Sequence, residues 1–167
     1  MIKQYLEMKK SAKAFVEKWK ENINKFNEEY GCVIDEMKLH KLMYFAQREA
    51  LIQTGVPLFE ADFYGWKYGP ILKEIRASYK SSSFVPVTDQ ATLRELDGVM
   101  DPVFEAYAGK DSWSLSRLTH GEISWKNSRK GISEDQNSDN PMKLDDIKLD
   151  AQRIKERRSI VAQLGII

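Results

Sequence analysis

This chain of 167 residues predicts a mainly α fold: a single compact multi-helix domain with a central helix and a short two-stranded β ribbon beside it. Three observations point there. Apolar residues recur at helical spacing through most of the chain. The 9 glycines and 5 prolines fall largely where those periodic stretches stop. Strand-like alternation is confined to one aromatic-rich segment containing Phe59, Ala61, Phe63 and Gly65. A domain of this length buries about 70% of the surface its unfolded chain exposes, enough for a core without covalent staples.

From Ile2 to Tyr30 no Gly or Pro interrupts the apolar periodicity, which predicts an N-terminal helix over 2–30, in one piece or broken near Ser11. Gly31 supplies a left-handed stop, and Asp35 offers a side-chain oxygen to cap the next helix. That central helix runs from about Glu36 to Thr54. Leu42 to Ala46 are apolar almost all round, so it is contacted from more than one side. Gly55 and Pro57 end it. The stretch from Leu58 to Tyr68 reads as extended, with Phe84-Val85-Pro86-Val87 as its expected ribbon partner.

Pro70 suits the first position of a helix that continues through Ile71, Leu72, Ile75 and Tyr79. Ser81 to Ser83 form a loop. Leu93, Leu96, Met100, Val103 and Tyr107 mark another helix, interrupted by Pro102. An interior proline costs about 3 kcal/mol, so a kink, or a restart capped by Asp101, is expected there. Asp111 or Ser112 caps a short helix leading into Thr119-His120. Lys126 to Asn140 is polar and reads as a mobile surface loop closed by Pro141. The last helix, about 143–164, carries Ile147, Ala151, Ile154, Val161 and Leu164 as its buried stripe and Arg153, Lys155, Arg157 and Arg158 on its other faces. Asp145, Asp146 and Asp150 read as solvated charges favoured by the helix dipole.

Lys plus Arg total 26 against 25 Asp plus Glu, a net charge of +1, which removes any global electrostatic case for nucleic acid or acidic lipid. The single cysteine, Cys32, allows neither a disulfide framework nor a cysteine zinc site and fits a reducing cytoplasm. The N-terminus lacks the apolar run of a signal peptide, and no segment has the length of a membrane span. The expectation is a cytoplasmic protein with no membrane partner and no cofactor.

Catalysis would require a nucleophile within reach of a base, and Cys32, His40 and His120 are the residues to weigh. None lies in a local motif that demands it, so no catalytic residue is assigned. The favoured role of both histidines is a structural hydrogen bond. A hydrolase using His120 with Glu122 is the weaker alternative. Metal binding needs three or four convergent ligands, which the spacing does not offer. Gly65 and Gly69 are not followed by the Lys and hydroxyl of a phosphate loop. Trp66, Tyr68 and Trp125 are either packed or binding anchors; Trp66 and Trp125 are expected chiefly to pack, with Tyr68 reaching the surface.

The run Lys38-Leu39-His40-Lys41-Leu42-Met43-Tyr44-Phe45-Ala46-Gln47, then Gly55-Val56-Pro57-Leu58-Phe59, then Gly65-Trp66-Lys67-Tyr68-Gly69-Pro70, resembles the signature of the Panacea domain. That family carries a Lys-Leu-Gln-Lys-Leu-Leu-Tyr-Tyr-Ala-Gln type helix, a Gly-x-Pro-Leu-Phe turn and an Ala-Trp-x-Tyr-Gly-Pro segment. Its second hallmark, Leu-x-x-Leu-Thr-His-x-Glu-x-x-Trp, stands here as Leu115 to Trp125. The match covers about 35–125. Departures are His40 for the usual Gln, Arg48-Glu49 where Gly-Trp is common, Gly65 where Ala is common, and Ile123-Ser124 where Pro often precedes the Trp.

The resemblance implies an antitoxin that neutralises a cognate small protein toxin by direct binding, with no enzymatic activity of its own. It also implies an alternative, an adaptor that delivers the toxin to a protease. A separate alternative is a DNA-binding autorepressor acting through the basic last helix or the lysine-rich first one, against which stand the near-neutral charge and the lack of a recognisable helix-turn-helix. Toxin-binding residues are expected at Trp66, Lys67, Tyr68, Gly69, Pro70, His120, Glu122 and Trp125.

Overall fold

The computed structural model describes residues 35–81 and 90–165. The N-terminal helix expected over 2–30, Gly31, Cys32 and the segment Phe84 to Val87 lie outside the described residues. Among those described, six α-helices and one two-stranded sheet follow in the order α1 (Glu36–Thr54), β1 (Phe63–Trp66), β2 (Gly69–Leu72), α2 (Lys73–Ser81), α3 (Gln90–Val103), α4 (Ser112–His120), α5 (Ile123–Ser128) and α6 (Leu144–Gln163). The class is the expected one.

Helix α1 has the anticipated bounds for local reasons. Asp35 accepts a hydrogen bond from the Lys38 amide at 2.8 Å, and Gly55, at φ 71°, closes the far end by donating its N–H to the Leu51 carbonyl. Every residue from Lys38 to Leu51 is buried, because α6, α3, α4, α2 and strand β2 all pack around this helix. Leu42, Met43, Tyr44, Phe45 and Ala46 form the middle of the core, joined by Phe59, Phe63, Leu72, Ile75, Met100 and Leu115. Gln47 latches the chain that leaves α1: its Oε1 accepts from the Leu58 and Phe59 amides at 2.8 and 3.2 Å, and its Nε2 donates to the Phe59 carbonyl at 2.9 Å.

The ribbon forms, but β1 pairs antiparallel with Gly69–Leu72, in the register Phe63↔Leu72, Tyr64↔Ile71, Gly65↔Pro70 and Trp66↔Gly69. Pro70 therefore stands in a strand, where its missing N–H is tolerated in a narrow sheet, and the following helix begins three residues later at Lys73. Gly65 packs closely: a Cβ there would run into Ser128 Oγ, which would have to turn away from the Trp125 carbonyl it bonds. On its other edge β1 meets Pro141, and the Met142 amide donates to the Phe63 carbonyl at 2.7 Å.

Pro102 does not restart its helix. α3 continues through it to Val103 and then widens into a π-helical turn, Phe104–Ala108. The carbonyl that Pro102 cannot serve, on Gly98, accepts instead from Gln53 Nε2 at 3.1 Å. The wide turn brings Tyr107 flat against Phe45, with ring centroids 4.1 Å apart. The polar segment after α5 is tied down rather than free: Arg129 donates to the Gly65 and Ser133 carbonyls, and the buried Ser138 hydroxyl donates to the Ser128 carbonyl. In α6, Ile147 and Ala151 are buried as expected, whereas Leu164, just past its end, is 66% exposed.

Candidate functional site

The tip of the hairpin is held from three sides. Trp125 Nε1 donates to the Trp66 carbonyl at 2.9 Å, Ser116 Oγ donates to the Tyr68 carbonyl, and the Lys67 amide donates to Asn137 Oδ1 at 3.1 Å. Gly69 adopts φ 116°, a conformation side chains rarely take, and a Cβ on it would lie 2.7 Å from Thr119 Oγ1 and 3.0 Å from Lys41 Cε. The turn is thus pressed onto α1 and α4 at a point that only glycine fits. This backbone support leaves the Tyr68 ring outward, 46% exposed, and edge-on to Trp113 at 5.4 Å; Trp113 is itself 61% exposed.

Behind the turn, between the hairpin and the first turns of α1, lies a cavity of about 480 Å³. His40 forms part of its wall, and its ring bridges two elements. The Leu72 amide donates to Nδ1 at 3.2 Å, which places the proton on Nε2, 3.3 Å from Glu36 Oε1. Burial pushes the His40 pKa down to about 4, with the Glu36 hydrogen bond opposing this and the Lys41 charge adding to it. An unfolded histidine titrates near 6.5, so the unfolded chain takes up a proton between about pH 6.5 and 4 while the folded one does not. Stability is complete above this window and falls by about 3 kcal/mol as pH drops through it. His40→Gln, whose amide oxygen can take the same hydrogen bond from Leu72, is expected to flatten this dependence in urea titrations across that range.

Lys41, one residue on, is 1% exposed, and its ammonium lies beneath Gly69. Burial pushes its pKa down to about 8 against the opposing charge of Asp35. Among the described residues it has no hydrogen-bond or ion-pair partner.

Deeper in, the two signature blocks interlock through buried charge. Arg48 donates to Glu122 Oε1 at 3.0 Å and to the Tyr107 hydroxyl at 2.6 Å. The Tyr44 hydroxyl donates to Glu122 Oε2 at 2.6 Å and also faces Asp150 Oδ2 at 3.1 Å. Asp150 accepts from the Ile123 and Ser124 amides, at 2.6 and 3.0 Å, and from Ser124 Oγ at 2.6 Å, capping α5 from a distant helix. Burial first, then the Glu122 and Asp150 charges, hold the Tyr44 phenol well above its ordinary pKa, so it stays a donor. Glu49 binds Arg158 of α6 through both carboxylate oxygens, at 3.0 and 2.9 Å.

The structure gathers Trp66, Lys67, Tyr68, Gly69 and Pro70 at the hairpin, with Trp125 and His120 directly behind it. Tyr68 faces solvent, Trp66, Lys67, His120 and Trp125 are half-buried, and Glu122 points inward to Arg48 and Tyr44. His120 is held mainly by stacking, its ring 4.0 Å from that of Trp125, and Nε2 is buried without a partner among the described residues. Burial lowers its pKa, the Lys67 backbone opposes this, and the Lys41 and Arg129 charges lower it further. Asp150 is not a solvated helix-end charge: it is 1% exposed and central to the network.

Trp113 was absent from the sequence expectations. Its signal is positional, since Trp113, Ser116 and His120 fall at helical spacing on one face of α4, the face that meets the hairpin. Among the described residues no three His, Cys, Asp or Glu side chains converge to hold a metal ion, and no helix is long and apolar enough to cross a membrane.

In class, this is a helical domain that presents a stapled hairpin. Residues 39–126, more than half the chain, match the family model described as Antitoxin SocA-like, Panacea domain, and the chain belongs to that antitoxin-like family. No curated protein and no solved structure matches it.

Proposed function

We propose that this protein neutralises a cognate small protein toxin by direct binding, in the cytoplasm and without catalysis, and that the whole chain 1–167 acts as one domain. The observation that carries this reading is the exposed Tyr68–Trp113 pair, raised on a rigid, glycine-tightened turn. Exposed aromatics on a rigid support are what protein interfaces use as anchors, because they bury large area at little conformational cost. The expected toxin-contacting segment is Trp66 to Pro70 with Trp113, while His120 and Trp125 back it and Glu122 anchors the segment that carries them to Arg48 and Tyr44. A stable complex buries about 1,600 Å² in total and asks nothing more of the scaffold than a complementary face.

The test is co-expression with the product of the adjacent gene, scoring growth rescue and co-purification. Tyr68→Ala with Trp113→Ala is expected to weaken the complex by about 2 kcal/mol or more, near 30-fold, with an unchanged circular dichroism spectrum and melting temperature. Undiminished binding by the folded double variant overturns this face as the contact. Rescue without co-purification replaces direct binding by repression or by delivery to a protease.

A further inference from the structure

Among the described residues, the cavity behind the hairpin brings together one buried cation without a counter-ion and a set of acids already in use. Its charged lining consists of Asp35, Glu36, Lys41, Lys67 and Arg76. Asp35 accepts from the Lys38 amide as the cap of α1. Glu36 takes both His40 Nε2 and Arg76 Nη1, each at 3.3 Å. Lys67 lies over the Tyr68 ring at 4.9 Å, and Arg76 over the Trp66 ring at 5.2 Å. Among the described residues neither Lys41 nor Lys67 has a carboxylate within ion-pair distance, but Lys67 is half-buried over Tyr68, whereas Lys41 is 1% exposed. An ammonium held away from bulk water without a partner is costly, and the cost is relieved when an anion enters. The volume of about 480 Å³ far exceeds one water's share of about 30 Å³, so there is room for an entering group. A second unmet group lies at the same wall: Trp66 Nε1, a donor, is buried without a partner among the described residues.

We propose that this cavity is a carboxylate-binding site, in which Lys41 pairs with an acidic side chain of the toxin. The proposal rests on the toxin-binding reading above. It deepens it by assigning the bound chemistry: an Asp or Glu presented beside the Tyr68–Trp113 contact, entering under Gly69, with Trp66 Nε1 as a further donor. The lining carries three cations against two anions, so one incoming carboxylate leaves it neutral.

Two experiments separate this proposal from the reading it rests on. In the first, the full chain carries ¹³C-labelled lysine, and the Lys41 Cε signal is followed by NMR with 3-phenylpropionate and with the uncharged 3-phenylpropionamide. The acid is expected to saturate the signal and to move its titration from about 8 back toward the ordinary 10.5, while the amide leaves it unchanged. Equal responses to both probes, or none to the acid, overturn the site.

In the second, each Asp and Glu of the toxin is replaced by Asn or Gln and tested against the wild-type chain and against Lys41→Met. One replacement is expected to weaken the wild-type complex at least tenfold and to have no further effect with Lys41→Met, the signature of a direct pair. Equal losses in both backgrounds overturn the toxin as occupant. If the acid probe binds but no toxin complex forms, the toxin-binding reading fails and the cavity stands as a site for a free carboxylate. The first experiment uses the unaltered chain and stands even if the variant fails to fold.

Discussion

Glu122→Ala is expected to destabilise the fold by about 3–5 kcal/mol, the range for removing one partner from a buried ion pair. Among the described residues the Glu122 carboxylate is the only one that Arg48 reaches, and the side chains of the pair are 5% and 11% exposed. Without Glu122 the guanidinium keeps the Tyr107 hydroxyl but loses its counter-charge, and Arg48 Nε already has no partner among the described residues. Tyr44 also loses the nearer acceptor for its proton. The measurement is urea unfolding of Glu122→Ala, Arg48→Met and the double variant. The double loss should be well below the sum of the single losses, because an apolar pair strands no charge. Additive losses would show that the pair is not the unit of stabilisation. Weakened toxin binding by Glu122 variants has to be judged against this loss of stability.

Replacing Asp150 with alanine is expected to cost a similar amount, about 3–5 kcal/mol, through a different route. Its carboxylate, with no side-chain exposure, receives two backbone amides and the Ser124 hydroxyl and faces the Tyr44 hydroxyl. Removal strands buried donors and leaves the N-terminus of α5 without its cap. Hydrogen exchange gives a local readout: the Ile123 and Ser124 amides should exchange far faster in Asp150→Ala, while amides in the middle of α1 change only as much as global stability does. Uniform acceleration across the chain would mean that Asp150 contributes bulk packing rather than a cap. Asp150→Asn should recover only part of the loss, since its NH₂ end meets donors with another donor.

Helix α1 was legible to the residue because its signals are local: Asp35 before the apolar run, Gly55 after it, and an unbroken buried stretch between. The cap of α4 was legible only as Asp111 or Ser112, and Asp111 takes it. Strand β2 was not, because Pro70 beside apolar residues is as good a helix start as a strand residue, and its partner is decided by a two-residue turn and a close approach to Lys41 and Thr119. Asp150 was misread for a related reason. By local pattern it matches Asp145 and Asp146, and what buries it includes Tyr44, 106 residues away. At the candidate site, the resemblance located the hairpin and the segment behind it. The pairing of Tyr68 with Trp113 and the isolation of Lys41 depend on which helix faces cross, which periodicity within one segment does not encode.

The chelation of Glu49 by Arg158 and the reach of Asp150 into α5 give the last helix a status that the family match alone does not convey. The matched segment ends at residue 126, whereas both of these ties come from α6, at 144–163. The segment that the family model matches is therefore shorter than the set of residues that closes around Tyr44. A gene fragment cut at the family boundary would encode the stapled hairpin but leave the Tyr44 cluster open on one side, so the matched segment and the buried network have different borders on this molecule.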